Sequence, residues 1–348
     1  MPIPSLGRWH MSAEWERHSR CWVGWPSCAG AWPGGLEAAK AALAELAQTI
    51  AAFEPVTVVC TPDDAVDASL ACGAGIQVLP LDIGHGWLRR TGPSFLINET
   101  GGIAGVSWLA GGGGNGAEAH DADATIGRRI LDHLTLPCYR TPLFLNGSAL
   151  SVDGAGAVMV TEQCLLNDPR TAGLSRAEIE QHLKCCTGAS TVIWLGTGCE
   201  WADNGGLVED VACFAAPGVV LALTTDDPLD ENFPALQDNL DRLKKARDAH
   251  GRPLEVVTVH QPARRPRDNG SGRLSMSYTN LYLPNDAVIL PGFGDAADQE
   301  ARRTLRKLFP QREVIQLPAH DFAAAGAGIH SLTLHQPVAF ALPYDPVI

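Results

Sequence analysis

Gly84–Phe95 reads GHGWLRRTGPSF: two adjacent guanidinium side chains, Arg89 and Arg90, stand directly before a Thr91-Gly92-Pro93 turn that opens an apolar strand, Ser94 to Ile97. Turns at strand ends are where chemistry is usually placed. Neighbouring arginines repel each other unless an anion, from the chain or from a ligand, sits between them. The stretch therefore reads as an anion site at a strand end, against the plain alternative of a solvated basic turn.

Working outward from that turn, the chain alternates helices with short β-branched strands. Upstream, residues 9–34 carry five tryptophans (Trp9, Trp15, Trp22, Trp25 and Trp32) among prolines and glycines, a composition that covers a surface or lines a cleft. Gly35–Phe53 has Leu36, Ala39, Leu43, Leu46 and Ile50 at helical spacing. Strands at Val56–Cys60 and Ile76–Leu79 follow. Downstream, the glycine-rich stretch 110–123 reads as a mobile loop or lid, without the lysine of a phosphate loop. Helices are expected from Ala122 to Leu134, Arg176 to Cys186, Pro234 to His250 and Ala296 to Phe309; Ser175 and Glu178 form a capping box for the second of these. Strands are expected at Ala157–Thr161 and Thr191–Leu195, on both sides of Pro217-Gly218, at Glu255–Val259, and near Leu281, Ala287, Val314 and Ile329. Gln261–Arg273 is a basic, proline-rich loop. Five helices with their strands suggest five similar modules in a ring around a polar cavity. An open doubly wound sheet is the alternative, but no GxGxxG follows the first strand.

Composition narrows the function classes. The chain has 348 residues, with 26 Lys and Arg against 39 Asp and Glu, a formal net charge of −13 and no long basic run. That argues against a nucleic-acid surface. No apolar run approaches the roughly 18 residues a membrane span needs. The N-terminus lacks the charged and apolar blocks of a secretory signal, so a cytoplasmic location is the expectation. The ten cysteines include no CxxC pair, so neither zinc nor a disulfide framework is expected, and most read as small buried hydrophobes. His260 and His335 show no metal spacing.

Several phrases together resemble the agmatine deiminase and bacterial-type peptidylarginine deiminase family, over nearly the whole chain. They are AEWERHSRCWVGWP (Ala13–Pro26), WLRRTGPSF (Trp87–Phe95), VDGAGAVMVTEQCLLND (Val152–Asp168), GLSRAEIE (Gly173–Glu180), SYTNLYL (Ser277–Leu283) and GIHSLTLHQP (Gly328–Pro337). The resemblance implies a single α/β domain over residues 1–348, a five-bladed α/β propeller (pentein) of ββαβ modules shared with amidinotransferases and arginine deiminases. It also implies a cysteine thiolate attacking a guanidinium carbon, carboxylates holding the guanidinium, and a histidine as acid and base.

Residue by residue, the family pattern is only partly met. The nucleophile of the GGGxIHC block falls at Ser331, and the first guanidinium-binding aspartate of WxRDxGP at Arg90. The glutamate and histidine of EGGxxHVDG fall at Asn146 and Ser151; the histidine, aspartate and asparagine of GHVDN fall at Leu207, Glu209 and Asp210. Arg89, Gly92, Pro93, Asp153 and His330 match. Exchanging aspartate for Arg90 and glutamate for Asn146 makes the expected pocket more positive by three charges, two from the first and one from the second. A cation about 4 Å from a bound guanidinium costs on the order of 4 kcal/mol at an effective dielectric of about 20, so the dication agmatine is expected to be excluded. Ser331 needs a base, and if 329–332 is a strand, neighbouring His330 faces away from it. By the same alternation, at most one of Glu209 and Asp210 faces the cavity.

Two readings stay open. In the first, the chain is a repurposed enzyme acting on a small anionic or zwitterionic metabolite, with Arg90 and Arg89 as a carboxylate clamp, Glu209, Ser331 and Asn146 as catalytic groups, and Ser151, Trp22, Trp25 and His85 lining the cavity. In the second it is a non-catalytic relative binding a small molecule or a protein, with Arg90 salt-bridged to Glu209. An Arg90–Glu209 contact without a cavity marks the second; an open cavity faced by both marks the first. For His85 an exposed loop position is the plain alternative, and for the tryptophans core packing. No cofactor or metal is implied, and the resemblance makes a homodimer an expectation.

Overall fold

The computed structural model describes residues 9–109, 121–171, 173–201, 205–267 and 272–339. Three of its five sheets repeat one pattern. Ser94–Ile97 lies antiparallel to Ile103–Ser107, which runs parallel to Cys138–Arg140. Ser151–Val152, Ala157–Thr161 and Thr191–Leu195 do the same, as do Ala212–Ala216, Val219–Thr224 and Glu255–His260. In the fourth sheet Ala287–Gly292 runs parallel to Glu313–Pro318, and Tyr282 supplies an antiparallel bridge to Ile289. The fifth joins the two ends of the chain. Thr333–Pro337 lies antiparallel to His18–Gly24, which is followed in parallel by Val56–Cys60 and Gln77–Pro80.

A parallel pair needs a crossover, and each sheet has one long helix joining two of its parallel strands. These are Leu36–Ala51, Asp121–His133, Arg176–Thr187, Phe233–Lys245 and Asp298–Leu308. The Ser175–Glu178 capping box forms as its spacing predicts, and Gly188 ends that helix in the left-handed region. The five-module α/β reading thus has its physical counterpart in five ββαβ units. Central strands such as Val56–Cys60, Ala157–Thr161 and Ala287–Gly292 are buried along their whole length, because helices cover the faces of parallel sheets.

Some expectations are corrected. Phe233–Lys245 stops five residues short of His250, because the Asp248 carboxylate accepts from the His250 and Arg252 backbone N–H groups and turns the chain. A helix not expected from the sequence, Ala65–Cys72, joins two strands of the fifth sheet. Ile329 does not start a strand: Ile329–Leu332 is one helical turn, and the strand begins at Thr333. The proposed lid lies outside the described residues over 110–120, and 121–123 open a helix. All ten cysteines are free; five are buried and five half-buried. Among the described residues, no helix is long and apolar enough to cross a membrane.

The fold matters for function because of what precedes each sheet. Leu88–Thr91, Gly147–Ala149, Val208–Asp210, the turn at Ser277–Asn280 and Ile329–Leu332 are short turns, each leading into the first strand or bridge of one sheet. They pack against one another. A Cβ on Gly147 would lie 2.4 Å from the Arg89 carbonyl oxygen, and one on Gly328 would lie 2.2 Å from Asn280 Oδ1, so both closures demand glycine.

Candidate functional site

Where these turns meet, five charged side chains form a chain of contacts. Ser331 donates its hydroxyl to Glu209 Oε1 at 2.6 Å, and His330 Nδ1 meets Glu209 Oε2 at 2.6 Å. On its other side, His330 Nε2 meets Glu14 Oε1 at 2.7 Å. The same Glu14 oxygen lies 3.2 Å from Arg89 Nη1, which also reaches His335 Nδ1 at 3.1 Å, while Arg89 Nε donates to the Thr333 carbonyl. Arg90 Nη2 is 3.8 Å from Glu209 Oε1 and donates to the Gly326 carbonyl at 2.9 Å; its guanidinium carbon lies 4.8 Å from the centre of the Trp87 ring. Beneath them Asn280 donates to Asp210 Oδ1 and accepts from the His330 backbone N–H, both at 2.8 Å.

These arrangements overturn two inferences from strand alternation. On a helical turn rather than a strand, His330 and Ser331 both reach one carboxylate. Val208–Asp210 is likewise a single turn, so Glu209 and Asp210 both face inward, toward different partners.

Proton positions follow from the contacts. Burial would raise Glu209, but the His330 hydrogen bond and charge, Arg90 and the Ser331 hydroxyl together hold it below the ordinary glutamate range. Burial would raise Glu14 too, yet Arg89 and His330 hold it well below. Burial and Arg89 push His330 down; contact with Glu14 and Glu209 more than reverses this, so it is raised and favours the imidazolium. Asp210 is raised to about 6 by burial and the Glu209 charge. Burial, then His18 and Arg89, drive His335 well below the usual range, so it is neutral and can accept from Arg89. The positive excess read from the sequence is therefore met in part inside the protein, with the three cations Arg89, Arg90 and His330⁺ facing two carboxylates, Glu14 and Glu209.

Two cavities of about 10 Å³ each, room for one water, flank Glu14 and share Leu150 and Val152. One is also lined by Ser151, Glu209, Thr279 and His330, the other by Arg89, Ser94 and His335. Ser151 Oγ accepts from the Phe214 backbone N–H at 3.1 Å. Asn146 is half-buried at the start of the 147–149 turn, and its Oδ1 has no partner among the described residues. The same holds for Arg89 Nη2 and Arg90 Nε.

Other predicted site residues lie elsewhere. Trp22 and Trp25 are fully buried and line neither cavity; Trp22 donates to Gln336 Oε1 at 3.0 Å. Their apolar rings fill the core, as the alternative held. His85 is neither exposed nor at the cavities: its Nδ1 lies 2.8 Å from Asp123, and its ring stacks on Trp87 at 5.1 Å. Glu14 and Asn280 were not singled out from the sequence. Each stands within one of the quoted phrases, AEWERHSRCWVGWP and SYTNLYL, and that was their only signal. Among the described residues, no group of three or more His, Cys, Asp or Glu is placed to hold a metal ion.

The model of the Porphyromonas-type peptidyl-arginine deiminase family matches residues 10–337. The chain belongs to that family. A relative from Legionella pneumophila is 39% identical over 339 residues, covering 96% of each chain. Agmatine deiminase of Stutzerimonas stutzeri is 36% identical over 359 residues, covering 97% of this chain and 98% of its own. The solved structure of agmatine deiminase from Enterococcus faecalis superposes with a TM-score of 0.94 at 30% identity, covering 98% of this chain and 99% of that one. In architecture and sequence this is an agmatine deiminase-like protein, and its central turns carry the cluster described above.

Proposed function

We propose that this agmatine deiminase-like protein does not hydrolyse guanidines and that its centre binds a small ligand bearing an anionic group. The observation that carries the reading is the engagement of Glu209. Its two oxygens take the Ser331 hydroxyl and the His330 imidazole, and Arg90 stands beside the first. With Arg90 standing against it that carboxylate is closed to a substrate guanidinium, and one held below the ordinary range is a poor base for a serine hydroxyl. Resemblance to the family pattern places the attacking cysteine at Ser331 and a catalytic histidine at Leu207, so neither thiolate nor that imidazole is supplied. The unmet N–H groups of Arg89 and Arg90 favour an anion or zwitterion as ligand. The Arg90–Glu209 contact supports the absence of catalysis, since the pairing takes up the carboxylate that chemistry would need.

A second reading, an enzyme acting on an anionic or zwitterionic metabolite, is favoured by one feature. Glu14, Ser151, Glu209 and His330 line a common cavity with polar groups where a disused pocket would gain by filling with apolar ones. Two assays test these readings: agmatine turnover by the native chain, and thermal-shift screening against anionic, zwitterionic and cationic metabolites. A ureido product from agmatine overturns the loss of hydrolysis. Stabilisation by cations and never by anions overturns the ligand class.

A further inference from the structure

Arg90 is 8% exposed, yet its guanidinium is not in an ordinary salt bridge. It stands over the Trp87 ring at 4.8 Å, beside the Glu209 carboxylate at 3.8 Å, and donates to the Gly326 carbonyl at 2.9 Å. An aromatic face, a carboxylate and a carbonyl oxygen are the three kinds of group that general chemistry uses to receive a planar organic cation. Each member of this box is fixed independently of Arg90. Trp87 is stacked on His85, Glu209 is held by Ser331 and His330, and Gly326 follows from a helical segment, His320–Ala324, with its own N–H bonded to the Ala323 carbonyl.

We propose that Arg90 is the specificity-determining residue of the centre: its side chain is the resident occupant of a guanidinium-shaped cation box. Cations are then excluded by occupancy as well as by repulsion. This rests on the reading above that the chain does not process guanidines, and deepens it by naming the group that shuts them out. The two explanations for exclusion differ in what removal of the side chain does. If Arg90 acts by charge alone, deleting it weakens repulsion everywhere and favours no particular shape. If it is an occupant, deletion leaves a vacancy with a defined shape and sign.

The test uses the full chain with Arg90→Ala, which vacates the box, and Arg90→Met, which keeps an apolar stem and removes the charged head that stands over Trp87. Methylguanidinium, guanidinium and acetate are titrated at millimolar concentration against sodium chloride of equal ionic strength. For Arg90→Ala, methylguanidinium is expected to raise Tm saturably, by roughly 2 °C at about ten times its Kd for a chain of this size. Guanidinium alone should do so for Arg90→Met, and the native chain should show no saturable response to either guanidinium compound. If either variant fails to fold unaided, its refolding yield with guanidinium compounds against sodium chloride is the readout. No gain from guanidinium compounds in either variant, or an equal gain from acetate, overturns the proposal. Neither result bears on agmatine turnover by the native chain, so failure here is distinct from failure of the proposed function.

Discussion

Ser331 and Glu209 are joined by a 2.6 Å hydrogen bond in which the hydroxyl donates to a carboxylate already held below its ordinary range. The serine is thus an anchor for the charge, and the wider cluster depends on that charge being present. Replacing Glu209 with Gln leaves His330⁺ with Glu14 alone and Arg90 with only the Gly326 carbonyl and the Trp87 face. Breaking a buried pair by removing one partner costs about 3 to 5 kcal/mol. Glu209→Gln is expected to lower the urea-unfolding free energy by that amount. A loss below about 1 kcal/mol, the scale of an exposed pair, would show that the cluster is not dry.

The pH dependence of stability has a sign at each group. Glu14 and Glu209 are depressed in the folded state, so their contribution is complete above the unfolded carboxylate range and is lost as pH falls through their folded values. His330 is raised, so its contribution is complete below the unfolded histidine range, near 6.5, and fades as pH rises through its folded value. Asp210 opposes them. Raised from 3.8 to about 6, it binds more protons when folded, so stability falls as pH climbs through that window. Asp210→Asn, retaining the Asn280 contact through its amide oxygen, should therefore flatten the decline between about pH 4 and 6 seen by chemical denaturation. An unchanged slope would mean that Asp210 titrates normally.

Legibility in the sequence followed how local the cause was. Strand Val56–Cys60 and the capping box at Ser175 depend on neighbours in sequence, and both appear at the positions read. Helix Ala65–Cys72 was missed because only Ala68 and Cys72 of its residues are buried, and a short helix with so narrow an apolar stripe has no pattern to show. The site was readable as a set of residues, Arg90, Glu209 and Ser331 among them, because they fall at fixed places in the family's motif blocks. Its geometry was not. Period-two reasoning assumed strands at 209–210 and 329–332, whereas Gly328 admits the chain to within a Cβ's breadth of Asn280 and a helical turn forms instead. Glu14 as partner of His330 spans 316 positions, and no local pattern encodes such a contact.

A second buried centre offers a control away from the candidate site. Glu54 accepts from Tyr282 Oη at 2.5 Å and from the Asn285 backbone at 2.8 Å, and meets His18 Nδ1 at 3.1 Å, joining the bend after helix Leu36–Ala51, strand His18–Gly24 and the 282–285 turn. Tyr282→Phe removes one donor from a buried carboxylate, a loss of about 1.5 to 3 kcal/mol for a hydrogen bond to a charged group. Thermal and urea unfolding should both report it. The thermal-shift response to ligands at Arg89 and Arg90 should stay unchanged, and a changed response would mean that the two centres are coupled, through the His18–His335 ring stack at 4.8 Å.

Restoring a thiol at 331 tests whether chemistry is missing one atom or a whole environment. In Ser331→Cys the sulfur would replace a hydroxyl that now donates to Glu209 Oε1, beside a carboxylate that is ionised across the neutral range. An adjacent anion and full burial both disfavour the thiolate; only Arg90 and His330⁺ oppose them, and each already faces Glu209. Cys199, buried, and Cys213, half-buried, each with a carboxylate nearby, show the outcome in this same protein, since both thiols are pushed well up. Ser331→Cys is therefore expected to react slowly with iodoacetamide at pH 7, to gain rate only at alkaline pH, and to show no ureido product from agmatine. Pairing it with Glu209→Asp withdraws the carboxylate by one methylene and should move the alkylation profile toward lower pH. An alkylation midpoint near neutrality in the single variant would mean that the cations dominate at position 331, and the assignment of Glu209 as the controlling charge would fall.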